Sequence, residues 1–482
     1  MVEDLSATQL QQAVAEAQAQ YVSRNPQSFQ LHQKAQQYLP GGNTRTVIYT
    51  PPFPLTFSGG KDATLTTVDG DVYVDFLGEF SAGIYGHSNA RIKKAVVEAL
   101  DAGWNLGGHG VYEKLLAAKV VERFRPSGIE LVRFTNSGTE ANTMAVATAL
   151  HVTGRTKVLV FTSAFHGSTF VFPKAPMKST TTANLNLPHE FVLAPFNNMA
   201  ETQAIVAALP AQSLAAIMVE PVQGSGGCRP ATREFMHYLR QTADEQRAIL
   251  IVDEVMASRL GFHGSCASLG IRADLVSLGK YIGGGMTFGA FGGRRDLMEL
   301  FDPARALLAH PGTFNNNVVS MAAGVEGLDI YDADKVASLN ATGVSMKKAI
   351  QAILIDEGIY PRGPDSSWDL IEVDSFHRPT MTRVSTSGEA DAEATAESFK
   401  LVKLPLMFVT GRGSMLNLRF SGPQEAQWSA LFYHHMLQNN IYIAQRGYSP
   451  LNLELTQVDV DAYVSAIQSF VSKHKTHLRA LS

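Results

Sequence analysis

Three short apolar runs each end on an ionisable side chain, and this pattern constrains the chain more than any other feature. Ala215-Ala-Ile-Met-Val closes on Glu220, and Ala248-Ile-Leu-Ile-Val closes on Asp253 with Glu254 behind it. Asp274-Leu-Val-Ser-Leu-Gly279 runs straight into Lys280, which three glycines, Gly283 to Gly285, follow shortly after. Apolar runs without alternation read as strands covered on both faces, the mark of a parallel sheet. In open α/β sheets ligands gather beyond the carboxyl ends of the strands. One amine and several carboxylates therefore converge there. Such a set suits a cofactor with an aldehyde that a lysine holds as a Schiff base and a ring that an acid keeps protonated.

From about residue 90 to 330 helical and strand-like segments alternate, as they do where helices cover a mainly parallel sheet. The expected architecture is α/β. A large domain over 77–330 has helices on both faces of its sheet, and a smaller α+β domain spans 331–482. Residues 1–76 form an N-terminal segment of helix and short strands that joins the small domain. Within it, residues 4 to 38 are rich in Ala, Gln and Glu and read as one or two amphipathic helices, stopped by Pro40-Gly41-Gly42. Residues 45 to 76 read as short strands with turns at Gly59-Gly60 and Asp69-Gly70-Asp71. Residues 363 to 400 combine Pro, Ser, Thr, Asp and Glu with little periodicity and read as a long surface insertion.

At 482 residues the chain can bury a large core, and its formal charge of -4 shows no basic arm suited to nucleic acid. Small metabolites are the expected partners. The two cysteines, Cys228 and Cys266, exclude a disulfide framework, fit a reducing compartment and give no support to a metal site. The first 23 residues carry no Lys or Arg, and no apolar stretch reaches membrane-spanning length. A cytoplasmic location away from membranes is expected. The signatures of Rossmann hydride transfer, P-loop phosphoryl transfer, serine hydrolysis and zinc proteolysis do not occur.

Leu131-Val-Arg-Phe-Thr-Asn136 leads into Ser137-Gly138-Thr139-Glu140, a strand entering a helix with Ser137 as cap and Glu140 completing a capping box. Free amides at such a start, with the positive end of the helix dipole, bind a phosphate dianion. Gly138 permits close approach and Thr139 adds a hydroxyl, although an ordinary capped helix accounts for the same residues. Asp253 needs a partner at an apolar strand end, either a protonated pyridine nitrogen or a structural ion pair. Val255 packs beneath a ring or simply in the core. Phe165, in Phe165-His166-Gly167, stacks on a planar heterocycle or covers the core, and His166 reads more readily as a hydrogen-bonded structural residue than as a proton carrier. Gly312-Thr313-Phe314-Asn315-Asn316-Asn317 offers donors to a phosphate, in this subunit or a neighbour, or merely caps the next helix.

Taken in order, S-G-T-E-A-N at 137–142, F-H-G at 165–167, V-E-P-V-Q-G at 219–224, D-E-V-M at 253–256, L-G-K-Y-I-G-G-G at 278–285 and G-T-F-N-N-N at 312–317 form a recognisable series. The series resembles the class III aminotransferases of pyridoxal phosphate (PLP) fold type I. Within them it looks closest to the branch of glutamate-1-semialdehyde aminomutase and the β-amino-acid (β-phenylalanine) aminotransferases. The match runs from about residue 27 to 360 and resumes near 404. The resemblance implies pyridoxal 5'-phosphate as cofactor, with Lys280 as its Schiff-base lysine and Asp253 on its pyridine nitrogen. It assigns the phosphate to Gly138 and Thr139 beside Ser137, with Thr313 contributing from the partner chain of a homodimer. Phe165 takes a ring-stacking place where the family more often has tyrosine, and Glu220 matches a glutamate on the cofactor and substrate side. Arg45 matches an arginine that holds a substrate carboxylate in the β-amino-acid branch, and Arg446 stands where that branch carries a second, movable arginine; a structural ion pair is the alternative for either. The implied activity is ping-pong transfer of an amino group from an amino acid or amine, β-amino acids included, to a keto acid. A semialdehyde-type aminomutase and a catalytically inactive cofactor binder are the alternatives. The insertion at 363–400 departs from the family pattern and bears on substrate preference.

Overall fold

Strands without a polar face are stable only between two layers, and the core strands of this chain have none. The structure, a computed structural model, describes residues 7–172, 190–305, 307–359, 371–373, 381–383 and 405–479. Contacts divide the chain into two units, and Ser81–Tyr85 with Asn89–Asn340 form the larger sheet-bearing one.

The seven strands of its main sheet are β1 (Leu131–Thr135), β2 (Lys157–Phe161), β3 (Glu190–Ala194), β4 (Leu214–Val219), β5 (Ile249–Asp253), β6 (Leu275–Gly279) and β7 (Gly289–Gly293). They lie in the order β1-β7-β6-β5-β4-β2-β3. Six run the same way, and β7 lies antiparallel to both neighbours. Every residue of β4, β5 and β6 is buried. Alternation puts Val158 and Val160 on one face, in a cluster with Ala141, Ala145 and Ala149 of the helix α1 (Gly138–Thr153). Three alanines on one stripe let that helix lie close to the sheet. Phe161, on the other face, meets Phe235 of the helix Arg233–Gln246 with ring centroids 5.3 Å apart. Helices thus cover both faces, and each large apolar side chain so enclosed contributes about 1.5–3 kcal/mol. Register then aligns the functional ends: Val252 pairs with Val219 on one side and Val276 on the other, so Glu220, Asp253 and the residues before Lys280 reach the same edge.

The second unit comprises Met1–Phe80, Gly86–Ser88 and Ala341–Ser482. Two helices, Ala7–Arg24 and Pro26–Ala35, open it and bury Leu10, Ala17 and Tyr21. Phe57–Lys61, Thr64–Thr67 and Val72–Asp75 form an antiparallel meander, to which Ile441–Tyr442 adds a parallel strand from far along the chain. The first reversal falls at Asp62-Ala63, with Asp62 at φ 51°, and not at Gly59-Gly60, which stay within the strand. Asp tolerates the left-handed region well enough to supply that turn. Met407–Arg412, Met415–Phe420 and Tyr448–Pro450 make a second antiparallel sheet. Of the expected insertion at 363–400, Ile371–Val373 and Met381–Arg383 are described as an antiparallel pair, and its other residues lie outside the described ones. Among the described residues no helix is long and apolar enough to cross a membrane.

Candidate active site

Asp253 ends β5 in an apolar setting, 5% exposed, and such a carboxylate needs its lone pairs engaged. Asn142 donates from Nδ2 to Oδ2 at 2.8 Å, His166 Nδ1 stands 2.8 Å from the same oxygen, and the amide of Val255 donates to Oδ1 at 3.0 Å. An ionised carboxylate offers about four acceptor directions, so these contacts leave about one, on Oδ1. A ring N–H fits that vacancy in the donor set.

His166 is fully buried. Burial pushes its pKa down, but the hydrogen bond and charge of Asp253, with Glu220 adding to them, outweigh burial and raise it. Glu220 follows β4 and accepts from the amides of Phe165 at 3.0 Å and Gly224 at 3.2 Å. Its pKa is raised to about 7: burial raises it most, the charge of Asp253 adds to that, and His166 with the two amides works against them. Three titratable groups thus share one buried cluster at the strand ends.

Val255 joins this cluster to the helix start and to the lysine. A Cβ added to Gly138 would stand 2.9 Å from its Cγ2, and one added to Gly279 would stand 3.1 Å from its Cγ1. Both positions need glycine for that approach. Ser137 caps α1 by accepting from Glu140 N at 3.2 Å, while Glu140 accepts from Asn136 N at 2.9 Å, one residue further out than the expected capping box places it. Gly138 and Thr139, in the first turn, point their amides outside the helical ladder, as every helix start does. The hydroxyl of Thr139 accepts from Ser168 N at 3.4 Å, which brings the Phe165 loop beside it. This cradle, with its amides, hydroxyl and small residues, fits a phosphate, and the single acceptor direction on Asp253 fits a protonated heterocycle.

Lys280 takes φ 56°, a left-handed conformation uncommon for a residue with a side chain. Outliers of this kind concentrate at functional sites. Phe165 is 37% exposed. Thr313 lines a cavity of about 690 Å³ with Trp104, Leu106, His109, Phe314 and Asn316, and Asn315 beyond it accepts from Asn136 at 3.1 Å. Arg45 and Arg446 belong to the second unit, where the two guanidinium carbons lie 5.6 and 5.5 Å from the centroid of one ring, Phe80.

Sequence reasoning assigned no role to Asn142, whose signal was available: it lies one helical turn beyond Gly138 and turns a polar group to the buried side. Glu254 also proves distinct from its neighbour. It is fully buried and accepts from the amides of Ser265 and Cys266, both at 2.7 Å, as the anchor of the helix Gly264–Leu269.

Residues 48–358 match the sequence pattern of the family described as Aminotransferase class-III. Beta-phenylalanine transaminase from Variovorax paradoxus is 38% identical over 476 residues, which cover 96% of this chain and 97% of that protein. The crystal structure of a beta-phenylalanine aminotransferase from the same organism superposes with a TM-score of 0.83 over 96% of this chain and 98% of its own. Glutamate-1-semialdehyde 2,1-aminomutase of Nitratidesulfovibrio vulgaris strain Hildenborough is 35% identical over 346 residues, 69% of this chain and 80% of that protein. A transaminase solved with PLP bound is 26% identical, with a TM-score of 0.77 over 95% of this chain and 98% of its own.

Proposed function

Since the chain belongs to the class-III aminotransferases, we propose that it takes the amino group of a β-amino acid and passes it to a keto acid, at a site built on Lys280 and Asp253. It is an aminotransferase of PLP fold type I that depends on pyridoxal 5'-phosphate. The observation that carries the site assignment is the three-sided hold on Asp253, which leaves one acceptor direction beside the residues that precede Lys280.

When bound, the cofactor supplies an aldehyde carbon to the donor's amine and a ring that accepts the electron pair left on the donor's carbon. Asp253 would offer its remaining lone pair to the ring nitrogen and would favour the protonated ring by its charge. Asn142 and His166 prevent the carboxylate from turning away. Lys280 would provide the amine that holds the cofactor, and once the donor's amine has displaced it, its Nζ would be the base that takes the proton from the donor's amine-bearing carbon. Gly138 and Thr139 hold the phosphate at the start of α1, beside the capping Ser137. Phe165 and Val255 enclose the ring, and Glu220 tethers the Phe165 loop by its backbone amide. Arg45 and Arg446 hold substrate carboxylates, for which the forked guanidinium is suited.

The β-amino-acid donor is supported by the 38% identity to beta-phenylalanine transaminase along nearly the whole chain, together with the two arginines on Phe80. We further propose a cytoplasmic homodimer in which Thr313 serves the partner's site. Its support is the exposed apolar group Trp104, Leu106 and Phe314 around Thr313, a surface suited to a second copy of the chain. Incubating the purified holoenzyme with a panel of α-amino acids, β-amino acids and amines, each with pyruvate or 2-oxoglutarate, tests the reading. A β-keto product with matching alanine or glutamate is expected. An isomerised product without that coproduct indicates an aminomutase, and no product indicates a cofactor binder.

A further inference from the structure

We infer that Glu79 is a specificity-determining residue: it occupies Arg45 as a built-in carboxylate that an incoming substrate carboxylate must displace. This rests on the reading that Arg45 grips the substrate's carboxylate.

Glu79 forms an ion pair with Nη1 of Arg45 while both side chains stay open to solvent, 58% and 44% exposed. One arm of the guanidinium fork is therefore already engaged by a carboxylate, and a fork binds one carboxylate best when both arms are available. The arrangement is held in place and is not a chance surface contact. Glu79 and Phe80 take φ 49° and 53°, two successive residues with side chains in the left-handed region, which persist only where the surroundings impose them. Asp75, 1% exposed, fixes the backbone just before them: its Oδ1 accepts from the amides of Leu77 at 2.8 Å and Gly78 at 3.0 Å, and its Oδ2 lies 2.8 Å from His87 Nε2. The same turn carries Phe80, which lies near both guanidinium groups, and its ring stacks on Tyr448 with centroids 6.5 Å apart and planes at 13°. Arg446 lies 5.9 Å from that second ring as well. Glu79 thus sets how much of the cationic pair's attraction reaches a ligand. Its competition is weak enough to be reversed, since exposed ion pairs contribute little.

The test is a double-mutant cycle on the holoenzyme with Glu79→Gln, Arg45→Gln and the double variant, reading KM and kcat for β-phenylalanine or the best carboxylated donor of a panel. Glu79→Gln keeps the shape and removes the charge. It is expected to lower KM by about two- to fivefold, the range an exposed pair supports. Arg45→Gln should raise KM, and adding Glu79→Gln to it should change nothing further. A merely structural role for Glu79 raises KM or lowers kcat, and either result overturns the inference. Persistence of the KM gain without Arg45 also overturns it. If Arg45→Gln leaves KM unmoved, the reading of Arg45 fails first and the inference falls with it.

Discussion

His166 and Asp253 form a buried pair, with Nδ1 2.8 Å from Oδ2 and the imidazole fully enclosed. The strand places the acid, and the loop after β2 brings the imidazole to it. Hydrogen bonds to charged groups contribute about 1.5–3 kcal/mol. His166→Leu should therefore lower the unfolding free energy by about that amount in urea titrations. Its cofactor should also dissociate faster, because Asp253 then keeps only Asn142 and the amide of Val255 to fix its orientation.

Asp253→Asn separates holding the cofactor from using it. The amide keeps the size of the side chain and loses the charge, so the visible absorbance of the lysine-bound cofactor should persist. Turnover should fall by about a hundred- to a thousandfold, the usual loss when a preorganised electrostatic partner is removed. Rapid-scanning spectrophotometry of the first half-reaction checks both.

Phe165→Ala removes the ring expected to stack on the cofactor and leaves the backbone amide that donates to Glu220. Aromatic pairs contribute about 0.5–1.5 kcal/mol beyond area burial, so cofactor affinity should weaken by roughly two- to twelvefold. Equilibrium dialysis measures it, and Phe165→Tyr should preserve it.

Glu220 makes stability depend on pH. Its pKa is raised from 4.5 to about 7 by burial, so the folded chain keeps a proton that the unfolded chain releases. Stability from this group is fully present below pH 4.5 and is lost as pH rises through about 7. The melting temperature of cofactor-free protein should decline across that window. Glu220→Gln should flatten the decline, and an unchanged slope would exclude Glu220 as its source.

The sheet and its functional edge were legible because the strands carry no polar face. Runs such as Ile249–Asp253 and Leu275–Gly279 read as buried strands and are buried strands, and an acid or a lysine at such an end falls at the sheet's edge. Polar residues whose partners are distant in sequence were not legible. Asn142 and His166 meet Asp253 across 111 and 87 residues, separations that no local period encodes. The Arg45 and Glu79 pair escaped for the same reason, since a left-handed turn at non-glycine residues has no signature in the sequence. The turn at Asp62-Ala63 was misplaced onto Gly59-Gly60 because glycine signals flexibility whether or not a turn uses it.

Everything proposed for this site depends on Lys280 as the residue that holds the cofactor. Borohydride reduction of the holoenzyme, followed by proteolysis and peptide mass spectrometry, fixes the cofactor on whichever lysine carries it. The modified side chain should be Lys280, and Lys280→Ala should carry no modification and show no turnover. Cofactor fixed on another lysine, or turnover retained without Lys280, would contradict the assignment.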